Sequence, residues 1–251
     1  MTHDGVTRTR SPMPRGYVGA PTLRGMRSEP VVMVHGWGGS FLRTWQEPGW
    51  EALLADAGRD VIGVDLLGHG TAAKPHDPEA YTDLTPAITS ALPDGPVDAI
   101  GFSLGSMTLL EFACRSPNRL SRLVISGVGK TLFDPDQSDV IARAVEGDAA
   151  EDDVMSQVFV QYASFPGNDR TALAACLRRP RTPITPERLA SVTCPVLVVV
   201  GERDFVGSGQ PLVDALPDAR LVTLPGTDHF ATPKDFRFID AALEFLDAVP
   251  G

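Results

Sequence analysis

Six short runs of apolar, largely β-branched residues recur along the chain, at 31–34, 60–64, 97–102, 122–126, 195–200 and 220–224. Continuous apolar strands imply burial on both faces, as in a parallel sheet covered by helices. Helical patterns separate the runs. Residues 44–58, "TWQEPGWEALLADAG", carry Leu53, Leu54 and Ala57 and close on a glycine. The pattern from Leu104 onward predicts a helix that must end before Pro117, because proline lacks an N–H and clashes with the preceding turn. Residues 233–249 predict the last helix, with Thr232 as N-cap, Pro233 in the first turn and Asp235 near the positive end of the helix dipole. Phe236, Ile239, Leu243 and Leu246 would form its apolar stripe. Strands alternating with helices predict a doubly wound α/β domain with a mostly parallel sheet.

The alternation lapses between about Lys130 and Arg188, where no strand-like run occurs. Residues 137–146 put Val140, Ile141, Ala144 and Val145 on one side of a helix. Residues 151–165 space Val154, Val158, Phe159 and Tyr162 helically, and 169–179 make a third helical piece. This predicts a small helical insertion, 130–185, dividing a core made of 1–129 and 186–251. Acids crowd its first half (Asp134 to Asp153) and arginines its second (Arg170 to Arg188), read as a solvated surface with internal pairing. Residues 1–16 are basic but lead into no apolar segment. They read as a mobile leader and not as a secretory signal, with order beginning near Tyr17.

Composition narrows the class. The 251 residues are 43% hydrophobic, enough for one globular domain with a large core. A net charge of -10 opposes nonspecific binding to nucleic acid or to anionic membranes. Cys114, Cys176 and Cys194 have no metal-like spacing and read as reduced, mostly buried thiols of a cytoplasmic protein. No apolar run approaches the roughly 20 residues of a membrane helix.

Candidate chemistry centres on "GFSLG", residues 101–105, between a predicted strand and a predicted helix. A sharp turn there strains the backbone and pushes the Ser103 hydroxyl out of the sheet. Gly101 and Gly105 are needed because a Cβ would clash in so tight a turn. A neutral serine hydroxyl is a weak nucleophile and needs a base, which needs an orienting group. His229 follows the last strand, whereas His3 lies in the leader and His35, His69 and His76 in loops. The orienting carboxylate should follow "VLVVV": Asp204 fits the reach of that loop better than Glu202. An oxyanion hole needs two backbone N–H groups. Leu104 supplies one at a helix start, and Trp37 in "HGWGG" is the choice for the other, though its ring also reads as a packed aromatic.

With His35-Gly36-Trp37-Gly38, Asp65-Leu66-Leu67-Gly68-His69-Gly70, Gly101 to Gly105, Gly201-Glu202-Arg203-Asp204 and Asp228-His229-Phe230 in place, the chain resembles the α/β-hydrolase fold proteins of the serine esterase type. Their order of Ser, Asp and His is the order found here. The resemblance implies that 130–185 form a helical cap over the site, and that His35 and Asp65 shape loops and do not react. Thr71 stands where that family usually has serine. The leader leaves room for only a short first hairpin, so fewer than the usual eight strands are expected.

A serine nucleophile implies acyl transfer on an ester, lactone or thioester of a small, mainly apolar molecule. Phe102, Phe159, Tyr162, Phe165, Val206 and Phe230 are the candidate pocket residues, alongside Trp37 and Leu104. Three alternatives remain. A carbon–carbon hydrolase is possible, although that group often carries tryptophan where Phe230 stands. A cofactor-free haloperoxidase or perhydrolase would reuse the same triad. A non-enzymatic small-molecule receptor of this fold would be expected to have lost a triad member. No metal cluster, nucleotide loop or flavin fingerprint occurs, so no cofactor or metal is expected. The expected partner is a small ester-like molecule, with no nucleic acid and no membrane.

Overall fold

The computed structural model describes residues 6–9, 29–135, 137–148 and 153–250. Among the described residues seven strands form one sheet: β1 (Val6–Thr9), β2 (Val31–Val34), β3 (Val61–Val64), β4 (Val97–Phe102), β5 (Leu120–Ser126), β6 (Val196–Gly201) and β7 (Ala219–Leu224). Their spatial order is β1-β3-β2-β4-β5-β6-β7. The last six strands of the chain run parallel, and β1 alone is antiparallel, with Val6 opposite Val64. The expected leader therefore needs correction at 6–9, which form an edge strand; the rest of 1–16 lies outside the described residues. A four-residue strand whose one apolar residue is Val6, followed by Thr7, Arg8 and Thr9, leaves too weak an apolar run to stand out in the sequence.

Between the strands run α1 (Trp50–Asp56), α2 (Thr85–Ala91), α3 (Leu104–Arg115), α4 (Ser138–Glu146), α5 (Val154–Ala163), α6 (Arg170–Arg178), α7 (Pro186–Leu189), α8 (Gln210–Ala215) and α9 (Phe236–Phe245). Both faces of the sheet are covered, as the unbroken apolar runs require. Val32 and Val34 pack with Ile88, Leu109, Leu110 and Leu212 on one face. Val31 and Met33 pack with Trp50, Leu54, Phe238 and Leu243 on the other. Successive strand side chains point to opposite faces, so a strand apolar at every position needs both layers. The second face is fastened by large rings: Trp50 meets Trp45 at 5.3 Å edge-on and Phe238 at 4.8 Å, while its indole N–H donates to the Pro233 carbonyl at 2.7 Å.

Two helices depart from the sequence pattern. The segment 44–58 is split, because Pro48 and Gly49 break it and Gly49 adopts φ 92 before α1 begins. Leu42–Gln46 form a separate wide helical turn. The last helix starts later than expected. Thr232 opens a short 3-10 turn, and its hydroxyl donates to the Asp228 carbonyl at 2.9 Å, so it serves the loop before it. Asp235 is the N-cap, its carboxylate accepting from the Arg237 N–H at 2.9 Å. The apolar stripe shifts with the start: Phe238 is fully buried, whereas Phe236 is 79% exposed. Ile239, Leu243 and Leu246 keep their expected place in the core.

Helices α4, α5 and α6 lie between β5 and β6, with α4 packed against both others. Arg178 joins the acidic and basic halves of this segment, pairing with Glu146 at 2.6 Å and Asp139 at 2.9 Å. The three cysteines are free. Among the described residues no helix is long and apolar enough to cross a membrane.

Candidate active site

The carboxyl ends of β2, β4, β5 and β6, with the loop after β7, meet at one edge of the sheet. Open α/β sheets bind ligands at this edge. Ser103 joins β4 to α3 with φ 49 and ψ -113, one of only two described non-glycine residues at positive φ. That conformation is costly for a residue with a Cβ. Its neighbours make the turn possible. A Cβ on Gly101 would lie 2.8 Å from the Ser106 backbone, and one on Gly105 would lie 2.2 Å from the Val34 carbonyl oxygen. The α3 N-terminus thus sits directly on the end of β2. The turn is tied down further by the Ser103 N–H donating to the Ser126 carbonyl at 2.8 Å.

His229 is buried and reaches the same edge from the loop after β7. Its Nδ1 lies 3.0 Å from each carboxylate oxygen of Asp204, which is also buried. Asp204 Oδ1 in turn accepts the Val206 N–H at 3.0 Å. Glu202 points elsewhere, accepting the Gly226 N–H at 2.7 Å. The carboxylate side therefore leaves Nε2 as the free nitrogen of the imidazole. No hydrogen bond joins Ser103 to His229 among the described residues; such contacts are often long without substrate and tighten when it binds.

Two backbone donors stand ready nearby. Neither the Trp37 N–H nor the Leu104 N–H has a hydrogen-bond partner among the described residues. Leu104 opens α3, where the first N–H groups have no acceptor within the helix and the dipole favours negative charge. The Trp37 ring is a packed aromatic as well. Its indole N–H donates to the Leu173 carbonyl on α6 at 3.0 Å, and it meets Phe159 on α5 at 5.4 Å.

Around His229 the structure gathers a set of rings. Phe102 approaches it at 4.8 Å, in a slot where a Cβ on Gly36 or Gly127 would come within 2.8 Å of its ring. Phe230 stands edge-on at 5.1 Å and carries Tyr162 at 4.4 Å. Phe159 lies 5.9 Å from Phe230. Burial, with the nearby Asp228 carboxylate, raises the Tyr162 phenol above its ordinary value. Phe165 sits further out, against Tyr162 at 5.0 Å and beneath the Arg43 guanidinium at 4.8 Å. Val206 is buried in the core and touches the site through its backbone. One ring was not singled out from sequence: Phe205 lies 4.4 Å from His229 and 6.0 Å from Phe159. Its place directly after Asp204 was the available signal.

The loops below the site are held by buried polar groups. Asp65 Oδ1 accepts the Phe41 N–H at 2.7 Å, and Oδ2 accepts the Thr71 N–H at 2.8 Å and hydroxyl at 3.0 Å. Thr71 thus keeps the hydroxyl that serine would supply. His35 donates from Nδ1 to the Gly36 carbonyl at 2.7 Å and accepts the Leu66 N–H on Nε2 at 3.1 Å. That tautomer is neutral, and burial lowers the group below its ordinary value despite Asp65. His69 packs on it at 5.1 Å and is pushed down to about 3 by burial and by its neighbour His35. Among the described residues no cluster of His, Cys, Asp or Glu is placed to hold a metal ion.

Known proteins carry the same frame. Residues 31–245 match the model of the alpha/beta hydrolase family. The chain belongs to that family. Among curated relatives, it is 33% identical to 2-hydroxy-6-oxo-2,4-heptadienoate hydrolase of Pseudomonas putida over 111 residues, 42% of this chain and 39% of that protein. The match to that relative therefore spans about two fifths of its length. It is 26% identical to pimeloyl-[acyl-carrier protein] methyl ester esterase of Chromobacterium violaceum over 79% of this chain and 86% of that one. A thermophilic esterase from Thermogutta terrifontis shares the fold with a TM-score of 0.71, at 20% identity over 99% of this chain and 94% of that one.

Proposed function

We propose that this alpha/beta hydrolase cleaves a carboxylic ester, or a lactone or thioester, of a small and mainly apolar substrate through an acyl-enzyme on Ser103. One observation carries the reading: a serine in a strained strand-to-helix turn shares a sheet edge with a buried His229–Asp204 pair at 3.0 Å. Ser103 Oγ attacks the carbonyl carbon while its proton passes to His229 Nε2. The carbonyl electron pair moves onto oxygen, facing the N–H groups of Trp37 and Leu104, each worth roughly 3 kcal/mol to the transition state. Asp204 holds the imidazole in the required tautomer and stabilises the imidazolium. Collapse of the intermediate breaks the bond to the alcohol oxygen, which takes the proton from His229. A water then attacks the acyl-enzyme carbonyl and gives a proton to His229; collapse breaks the bond to Ser103 Oγ, which takes that proton back as the acid is released.

Residues 130–185 act here as a cap, with Phe159 and Tyr162 of α5 facing Trp37 and Phe230 across the site. The ester comes first because the relative named as a methyl ester esterase aligns over 86% of its length. A substrate that is not an ester is the second reading. It is favoured by the heptadienoate hydrolase, which aligns over 39% of its length. A fluorophosphonate probe tests the shared nucleophile. One adduct, mapped by peptide mass to Ser103 and absent in Ser103→Ala, is expected; an unlabelled wild-type protein would favour a receptor without catalysis.

A further inference from the structure

We propose that the alcohol part of the substrate is aromatic and that Phe205 selects it; this rests on the ester reading above. His229 must hand its proton to the departing alcohol oxygen, so rings touching the imidazole border the alcohol side of the site. Phe102 and Phe205 approach His229 at 4.8 and 4.4 Å and make no ring contact with each other among the described residues, so they come from different sides. Phe102 is buried and serves as backing, whereas Phe205 is 40% exposed and keeps a free surface. From Phe205 the ring wall continues to Phe159 at 6.0 Å and Phe230 at 6.3 Å, and from Phe230 to Tyr162 at 4.4 Å. Phe159, Tyr162 and Phe230 are half-buried, so this wall also retains surface for a ligand.

An aliphatic wall would serve an alkyl group equally well through burial alone. Rings add a directional term, because aromatic pairs at these separations gain from offset or edge-on contact beyond their buried area. The site also disfavours an anionic alcohol group. Asp228, whose Oδ1 accepts the Ala231 N–H at 2.9 Å, adds negative charge beside Tyr162. A neutral benzyl-like group fits both features.

Benzyl acetate and cyclohexylmethyl acetate share an acyl group and nearly a shape, and differ in the aromatic ring. With the full chain, kcat/KM for each, divided by its hydroxide-catalysed rate, is expected to favour benzyl by about fivefold. Phe205→Leu should shrink that ratio to below about twofold, and Phe205→Tyr should retain it. The acyl-side pair, methyl phenylacetate and methyl cyclohexylacetate, should show no preference. A wild-type benzyl ratio near one, an unchanged ratio in Phe205→Leu, or a preference confined to the acyl pair would overturn the inference while leaving an esterase. Failure to hydrolyse any of the four esters, with no fluorophosphonate uptake at Ser103, would overturn the ester reading and this inference with it.

Discussion

Asp204 holds His229 through both carboxylate oxygens, each 3.0 Å from Nδ1, and is itself anchored by the Val206 N–H. The pairing keeps the proton on Nδ1 and leaves the lone pair on Nε2. Asp204→Asn is close to isosteric but can offer Nδ1 a donor, which moves the proton to Nε2. The variant should fold normally and lose kcat by about 10³–10⁴. Equal turnover by the purified variant and wild type would remove Asp204 from the mechanism.

His69 makes stability depend on pH in a window of its own. It is fully buried, donates from Nδ1 to the Leu67 carbonyl at 2.9 Å, and is pushed down to about 3 in the folded chain. Its unfolded value is about 6.5. Above 6.5 both states are neutral and its contribution is complete. As pH falls below that, the unfolded chain takes up a proton that the native one refuses, so stability drops by up to about 1.4 kcal/mol per pH unit. His35, also lowered by burial, acts in the same direction. Carboxylates held low act later: Asp235, lowered to about 2 by Arg237, contributes stability that is lost only as pH falls from about 4. Urea midpoints between pH 7 and 5 should therefore fall in the wild type and fall less in His69→Gln. Parallel slopes for the two proteins would rule out His69.

Much of this frame was legible in the chain. The apolar runs at 31–34 and 97–102 coincide with strands β2 and β4, because burial on both faces makes nearly every position apolar, Asp98 in β4 being the exception and paired with Arg59. The turn at Ser103 was legible for a similar reason: glycines at 101 and 105 are forced by the Ser106 backbone and the Val34 carbonyl. Features that depend on partners far along the chain were not. Thr232 looks like an N-cap, but its hydroxyl is taken by the Asp228 carbonyl, and Asp235 caps the helix instead. Phe205 follows an acid in a loop, and only the packing of α5 against that loop shows that it faces His229 and Phe159.

Far from the site, Arg59 joins several segments beneath the sheet. Its guanidinium donates to the Glu29 carbonyl at 2.6 Å, the Leu246 carbonyl at 2.8 Å and Asp98 at 2.5 Å, and neither side chain of the pair is more than 1% exposed. Removing one partner of a buried pair strands the other. Arg59→Ala should cost about 3–5 kcal/mol in urea unfolding, and Arg59→Met with Asp98→Leu should cost less than Arg59→Ala alone. The opposite order would mean that the pair is a net source of stability.

Gly105 is the tightest point of the turn. A Cβ there would lie 2.2 Å from the Val34 oxygen and 2.6 Å from the His35 oxygen, backbone atoms that cannot step aside. Gly105→Ala should push α3 off the end of β2 and displace Leu104 from Trp37. Circular dichroism should show a lowered melting temperature, and any folded fraction should have lost most of its turnover. Unimpaired melting and activity would mean that the contact relaxes without moving the helix.

The most direct test of the account is the turnover of p-nitrophenyl acetate by purified Ser103→Ala beside wild type, with folding checked by circular dichroism. Because the substitution removes the covalent step, kcat/KM is expected to fall at least about a thousandfold with the fold unchanged. Turnover by folded Ser103→Ala within a few-fold of wild type would contradict a serine acyl-enzyme mechanism.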